Sequence, residues 1–390
     1  MLKVITGDYS VPVNIDSRSS LIAAVYLGII GPAIFIVQPG FVQGLVEYYG
    51  FGEQEAGYVA AAEMWGIAIT TLLMTFISGR FNWRNILTWA TLLVVAGNFL
   101  SITADSSLNF AIIRGITGIG SGALISLTFT IIGLTSNPDR NFAYLIMWIL
   151  VYGAAGFLLM PTAYAVVGMD GLLVFFGLFS LSGIAFIRYL PVSGEVQTMI
   201  EGDAPDLPGV FKALAVGTMF IYFVAQGVVW AYLFLIGTSG GVTEQEVANG
   251  LTLSQFCGIA GAFVAAIVGI RFGRISPLTV GISGSVLSLM ILFGTMGPLV
   301  YGFAVCLFNF SWNMTHPFLL AAMASFDRSG RIVVKAVAAQ MLGLAIGPAL
   351  AASVIAKEDY SNVVWLGMLL FVVSLLTIIP PLLKRPPVSI

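Results

Sequence analysis

The sequence predicts an all-α polytopic membrane protein with twelve transmembrane helices in two pseudo-symmetric six-helix bundles, and three observations predict it. Apolar stretches of about twenty residues, each long enough to cross a hydrocarbon core of about 30 Å as a helix, recur along the whole chain. Basic residues gather on one side of those stretches. Landmarks of the first half return in the second at a fixed spacing.

Composition carries the first observation. Of 390 residues, 58% are hydrophobic and 9% are charged, against about 25% charged in soluble domains. The ten-residue alternation of a membrane barrel is absent. The opening MLKVITGDYSVPVNIDSRSS has acidic residues and no apolar core before Leu21. It does not read as a cleaved signal peptide, and the first helix is expected to direct insertion. Cys257 and Cys306 fall inside apolar runs with no partner at metal-ligand spacing. Neither a disulfide framework nor a metal site is indicated, and packing is their expected role.

The apolar runs give twelve spans, beginning near Leu21, Ala56, Ile86, Leu108, Phe142, Leu172, Val210, Val247, Leu278, Leu299, Ile332 and Val363. An even count places both termini on one side. On that side lie Lys3, Arg18, Arg80, Arg84, Arg140, Arg188, Lys212, Arg271, Arg274, Arg328, Arg331, Lys335, Lys384 and Arg385, whereas the opposite loops hold only Lys357 among basic residues. Basic residues favour the cytoplasm, so both termini are expected there. Between spans 6 and 7 runs PVSGEVQTMIEGDAPDLP, a polar stretch rich in Pro, Gly and acidic residues. It divides an N-terminal bundle at 1–194 from a C-terminal bundle at 209–390, with a cytoplasmic linker at 195–208.

Duplication is the third observation. GEQEAG at 52–57 and TEQEVA at 243–248 each open an even-numbered span, and GRFNWR at 79–84 and IRFGRI at 270–275 each close one. Glu53 and Glu244, Arg80 and Arg271, and Gly156 and Gly347 are all 191 residues apart. Three landmarks at one offset close to half the length argue for a duplicated six-helix unit.

Two six-helix halves, inside termini and a cytoplasmic linker resemble the major facilitator superfamily of secondary transporters over essentially the whole chain. That family often carries Gly-x-x-x-Asp-Arg-x-Gly-Arg-Arg between helices two and three, with a degraded copy between helices eight and nine. The first copy here keeps Arg80 and Arg84, with Thr75, Gly79 and Asn82 where the family prefers Gly, Asp and Gly. The second keeps Arg271, Gly273 and Arg274, with Ile270 at the acidic position. The resemblance implies a conformational latch at these loops, yet neither copy supplies its acidic member. The same arginines also read as positive-inside anchors. Span 4 contains RGITGIGSG, similar to the family's Arg-x-x-x-Gly-x-Gly pattern through Arg114, Gly118 and Gly120, with Gly122 one step on. A nucleotide loop is excluded, because no strand precedes this run and it lies within a span. Its glycines allow close helix contact. Gly343, Gly347 and Pro348 in span 11 read as a close contact with a bend.

Charge inside the bilayer marks the candidate site. Glu63 sits in a run of more than twenty residues otherwise uncharged until Arg80, and an ionised side chain at that depth costs on the order of 3 kcal/mol. At 1.5 Å per residue from the outer ends of spans 2 and 4, Glu63 is about 10 Å deep and Arg114 about 9 Å deep. In the resembled fold helices two and four are neighbours, so the two can pair. One reading is a structural ion pair that fixes the first bundle. Another is a coupling site in which Glu63 exchanges a proton and Arg114 tunes it or binds an anionic substrate, and a third leaves Glu63 exposed at the cavity rim.

Span 10 holds FNFSWNMTHPF, where the spacing of Asn309, Asn313 and His316 puts them on one helix face. Since helix ten lines the cavity in the resembled fold, that stripe can bind substrate or carry a proton on the sole histidine, or simply pack against a neighbouring helix. Gln38 in span 1 and Gln226 in span 7 become candidate substrate contacts by position, with interhelical hydrogen bonding as the competing account. Trp230 joins them as a pocket or core aromatic.

The chain therefore reads as a secondary active transporter that moves a small organic solute, an anion favoured, by alternating access and with protons as the leading coupling ion. A proton-driven exporter of lipophilic cations is the alternative. No P-loop, no metal-binding helix pair and no nucleophile elbow point to an enzyme. No cofactor is expected. The expected partners are the substrate, protons and the lipid bilayer of a bacterial inner membrane, with no nucleic acid, and the chain is expected to act as a monomer.

Overall fold

The computed structural model describes residues 13–77, 80–136, 138–193, 208–268, 273–294, 296–324, 326, 331–356 and 359–384. The chain divides into two compact units, Met1–Gln197 and Thr198–Ile390. Among the described residues each carries six helical spans.

In the first unit, span 1 is broken into Arg18–Ile30, Ala33–Ile36 and Gln38–Glu47. Span 2 is Glu53–Ile77, span 3 Trp83–Ser101 and span 4 Ser107–Gly133. Spans 5 and 6 share the continuous stretch Pro138–Ser182, divided at Gly168, whose φ of 65° and ψ of −171° only glycine adopts freely. Span 6 finishes with Ile184–Ile187.

In the second unit, span 7 is Gly209–Trp230 followed by Leu233–Ser239, span 8 Glu244–Val268 and span 9 Ile275–Ile291. Spans 10, 11 and 12 are Pro298–Ala324, Arg331–Val354 and Ser361–Leu383. Seven of the described helices are individually long and apolar enough to cross a membrane.

The breaks in spans 1 and 7 depart from the unbroken spans that the sequence predicts. Pro32 and the Gly31 before it interrupt the first, with a second interruption at Val37. Val37 (φ −104°, ψ 19°) and Tyr232 (φ −109°, ψ 1°) share one non-helical conformation, so the first span of each unit kinks in the same way.

The repeated landmarks have a capping role. Glu55 Oε2 accepts from the Gly52 N–H at 2.9 Å, and Glu246 Oε2 accepts from the Thr243 N–H at 3.1 Å. Each closes the first turn of an even-numbered span by satisfying a backbone donor that the helix leaves free. Asn82 caps span 3 by accepting from the Arg84 and Asn85 N–H groups, which explains an asparagine where the resembled motif prefers glycine.

Inside lipid, burial of apolar surface no longer drives helices together, and close packing of small residues takes its place. A Cβ on Gly118 would lie 2.2 Å from the Glu63 carbonyl oxygen, and one on Gly122 would lie 2.6 Å from that of Ile67. Spans 2 and 4 therefore meet backbone to backbone. In the second unit Gly343 and Gly347 bring span 11 onto span 7, where a Cβ on Gly347 would lie 2.5 Å from Gly227. Gly156, which is 191 residues before Gly347, seats span 5 against Val37 of span 1.

Candidate functional site

The glycine-lined seam of spans 2 and 4 fixes where Arg114 sits. Its guanidinium is fully buried, and Glu63 beside it is 6% exposed. The pair is bidentate: Arg114 Nη2 donates to Glu63 Oε1 at 2.5 Å and Nε donates to Oε2 at 3.2 Å. Nη1 donates to Asn98 Oδ1 of span 3 at 2.9 Å, and the cation lies 5.8 Å from the ring centroid of Phe41 in span 1. Four spans thus converge on one cation. Such a buried guanidinium needs its charge matched and its donors filled. Asn98 does part of that work, and the sequence reading missed it.

The other candidates of the first unit lie apart from this cluster. Gln38 begins the last piece of span 1, is 3% exposed, and its Oε1 has no hydrogen-bond partner among the described residues. Arg80 is exposed in the turn after span 2. Arg84 is buried, and its Nε donates to the Leu190 carbonyl at 2.7 Å. Trp83 N–H donates to Val192 O at 2.9 Å, so the start of span 3 holds the end of span 6. The basic side chain settles on a helix C-terminus, whose carbonyls attract cations.

In the second unit the span 10 stripe is split between two neighbours. Asn309 donates to Ser254 Oγ of span 8 at 3.1 Å, and Asn313 donates to Asn309 Oδ1 at 3.0 Å. His316 is half-buried, bonds through Nε2 to Gln340 Oε1 of span 11 at 3.0 Å, and lies edge-on to Phe223 of span 7. Between these two contacts, Trp312 meets Trp230 with ring centroids 5.6 Å apart. Gln226 is fully buried, donates to Tyr222 Oη at 2.9 Å and leaves its Oε1 without a partner among the described residues.

At the second loop motif, Gly273 has a φ of 68°, which requires glycine, and Arg274 precedes span 9. Arg271, together with Gly79 and Ile270 of the two motifs, lies outside the described residues, as does the linker apart from Pro208. Among the described residues no cluster of three or more metal-ligating side chains occurs.

A family model described as Major Facilitator Superfamily matches residues 23–326. Solved structures align along nearly the full length of both chains. The crystal structure of a D-xylose-proton symporter superposes with a TM-score of 0.74 at 16% identity, covering 95% of this chain and 98% of that one. The inward-open xylose transporter XylE from E. coli gives a TM-score of 0.74 at 17% identity, covering 95% and 96%. The POT family transporter PepTSo gives 0.73 at 14% identity, covering 94% and 98%. A comparison with curated protein sequences gave no match. At these identities the structural likeness is one of fold.

Proposed function

The chain belongs to the major facilitator superfamily, a family of membrane transporters rather than enzymes, and from that premise we propose that it moves a small organic anion together with a proton by alternating access. The observation that supports this reading is the Arg114 guanidinium, buried in the first bundle with both of its carboxylate bonds made to Glu63.

The linkage follows from electrostatics. Protonating Glu63 alone would leave a buried cation with only Asn98 and Phe41, and breaking such a pair costs roughly 3–5 kcal/mol. An anionic substrate arriving with the proton restores the match, because its carboxylate or phosphate can take the two donors that Glu63 releases. Proton and anion then bind favourably together and poorly apart. That is the condition for coupled movement of the two in one direction.

Gln38 and Gln226 support a role in substrate contact. Each keeps a buried amide oxygen without a protein partner among the described residues, and a buried acceptor left open calls for a ligand or water. Within the second unit we assign Asn309, Asn313, Trp230 and Trp312 to substrate contact alongside Gln226. His316 is a secondary candidate for proton movement. The lipophilic-cation reading needs a carboxylate free to attract a cation, whereas both oxygens of Glu63 accept from Arg114.

The test is a melting-temperature screen of the purified protein against organic anions, lipophilic cations and neutral metabolites at two pH values, since a ligand of the folded state raises stability by mass action. Anions are expected to stabilise the wild type more at the lower pH, and to lose that effect in Arg114→Ala. Proton-driven uptake of the best anion should lose its pH dependence in Glu63→Gln. Stabilisation by lipophilic cations alone, abolished in Glu63→Gln, would overturn the anion reading in favour of cation export.

A further inference from the structure

The chain has two cysteines, Cys257 on span 8 and Cys306 on span 10, and both are free and partly exposed. Spans 8 and 10 run in the same direction along a tight seam. Gly250 sits against Gly302, Ser254 bonds Asn309, and a Cβ on Gly261 would lie 2.2 Å from the Phe310 carbonyl oxygen. Cys257 is one turn before Gly261 and Cys306 is one turn before Phe310, each on the face that makes this contact. Ser254 and Gly261, at three residues before and four after Cys257, meet Asn309 and Phe310, at three and four residues after Cys306, so the two cysteines occupy facing positions of the seam. A packed residue touches about 6–12 others, so a second cysteine placed at random among 390 positions would become a neighbour only a few times in a hundred. Space-filling alone does not explain the pairing.

We propose that Cys257 and Cys306 are an oxidisable pair, a modification site at which a small disulfide-type oxidant converts the two thiols into a bond between spans 8 and 10. The thiolate of one cysteine attacks a sulfur of the oxidant, forming a mixed disulfide and expelling one thiol of the reagent. The second thiolate attacks the protein sulfur of that mixed disulfide, forming the internal bond and expelling the second. The protein gives up two hydrogens in all, and the reagent carries them away as two thiols. The product clamps the seam and closes a loop, residues 257–306, that contains all of span 9, which restricts the unfolded chain. The site belongs to the second bundle alone. The residues 191 positions earlier are Gly66 and Gly115, where even a Cβ on Gly66 would lie 2.1 Å from the Gly115 carbonyl oxygen.

The experiment treats the reduced full-length protein with dipyridyl disulfide, whose apolar rings enter the bilayer and whose released thiopyridone is coloured. The expected result is two thiopyridones released per chain, no retained adduct, an intact mass lighter by two hydrogens and a melting temperature higher by several degrees, all reversed by reductant. Cys257→Ser and Cys306→Ser should each release one thiopyridone and keep one adduct. Wild-type protein that keeps an adduct on both cysteines, cross-links only between chains, or leaves either thiol unreacted would overturn the proposal. The wild-type mass decides this whether or not the variants fold.

Discussion

The seam between spans 2 and 4 and the seam between spans 8 and 10 occupy equivalent places in the two halves, yet opposite chemistry holds them. The first is closed by the Glu63–Arg114 ion pair with Asn98 and Phe41 around it. At the 191-residue offset stand Ser254, Val305, Leu289 and Tyr232. There the contact is a neutral Asn309–Ser254 bond, with Val305 and Leu289 buried. The second bundle therefore shows that this packing does not require a buried charge. Replacing buried ion pairs by apolar residues is often neutral or stabilising, so a pair present in only one half is what the proposed transport role would account for.

The most severe way to break the comparison is to remove one charge. Arg114→Ala leaves Glu63 buried without its cation and should cost roughly 3–5 kcal/mol, read as a fall in melting temperature and in the yield of folded protein. Glu63→Ser combined with Arg114→Val copies the second seam into the first. That double variant should recover most of the stability lost by Arg114→Ala, yet lose pH-dependent transport. A double variant no more stable than Arg114→Ala would make the pair indispensable to the packing, and the inference from the second bundle would fail.

Smaller changes sharpen the contrast between backbone and side-chain closure. Gly118 faces the Glu63 backbone, so Gly118→Val forces spans 2 and 4 apart and should cost roughly 1–3 kcal/mol. Its counterpart Asn309 can lose its side chain more cheaply. Asn309→Ala gives up one interhelical bond, worth about 0.6 kcal/mol on average inside a membrane. Thermal unfolding of the two variants side by side should rank them in that order, and the reverse ranking would mean that the second seam relies on its amides.

What could be read from the sequence follows the size of each energetic signal. The twelve spans were legible because a helix in lipid must be apolar along its length, and the observed starts at Glu53, Ser107, Glu244 and Pro298 lie within a few residues of the expected ones. The pairing of Glu63 with Arg114 was legible because two charges at one depth must meet something. Asn98 was not, since a neutral amide in a membrane helix costs too little to demand a named partner. Helical spacing placed Asn309, Asn313 and His316 on one face, but that face straddles two neighbours, and spacing alone does not say where one ends. The charge rule gives the side of the membrane on which Arg84 lies but not what its side chain meets. Its true position depends on the end of span 6, more than a hundred residues away in the chain.

The mildest asymmetry lies at the outer ends of the bundles. In the first unit the Tyr49 hydroxyl donates to the Asp170 carboxylate, while the residues at the 191-residue offset are Gly240 and Ser361, and Gly240 instead accepts a backbone bond from Met296 at 2.9 Å. Burial, then the Asp170 hydrogen bond and charge, raise the Tyr49 hydroxyl above its ordinary pKa of 10.0. A group whose folded pKa is raised lends stability that is fully present below its unfolded pKa and fades as pH climbs through the folded value. Tyr49→Phe should therefore cost about 0.5–1.5 kcal/mol near neutral pH, towards the lower end because the site is half exposed. Above pH 10 the gap between variant and wild type should narrow, because only the wild type's unfolded chain gains by ionising at this residue. Melting curves of both proteins from neutral to alkaline pH test this, and a gap that stays constant would show that the hydroxyl is not held by Asp170.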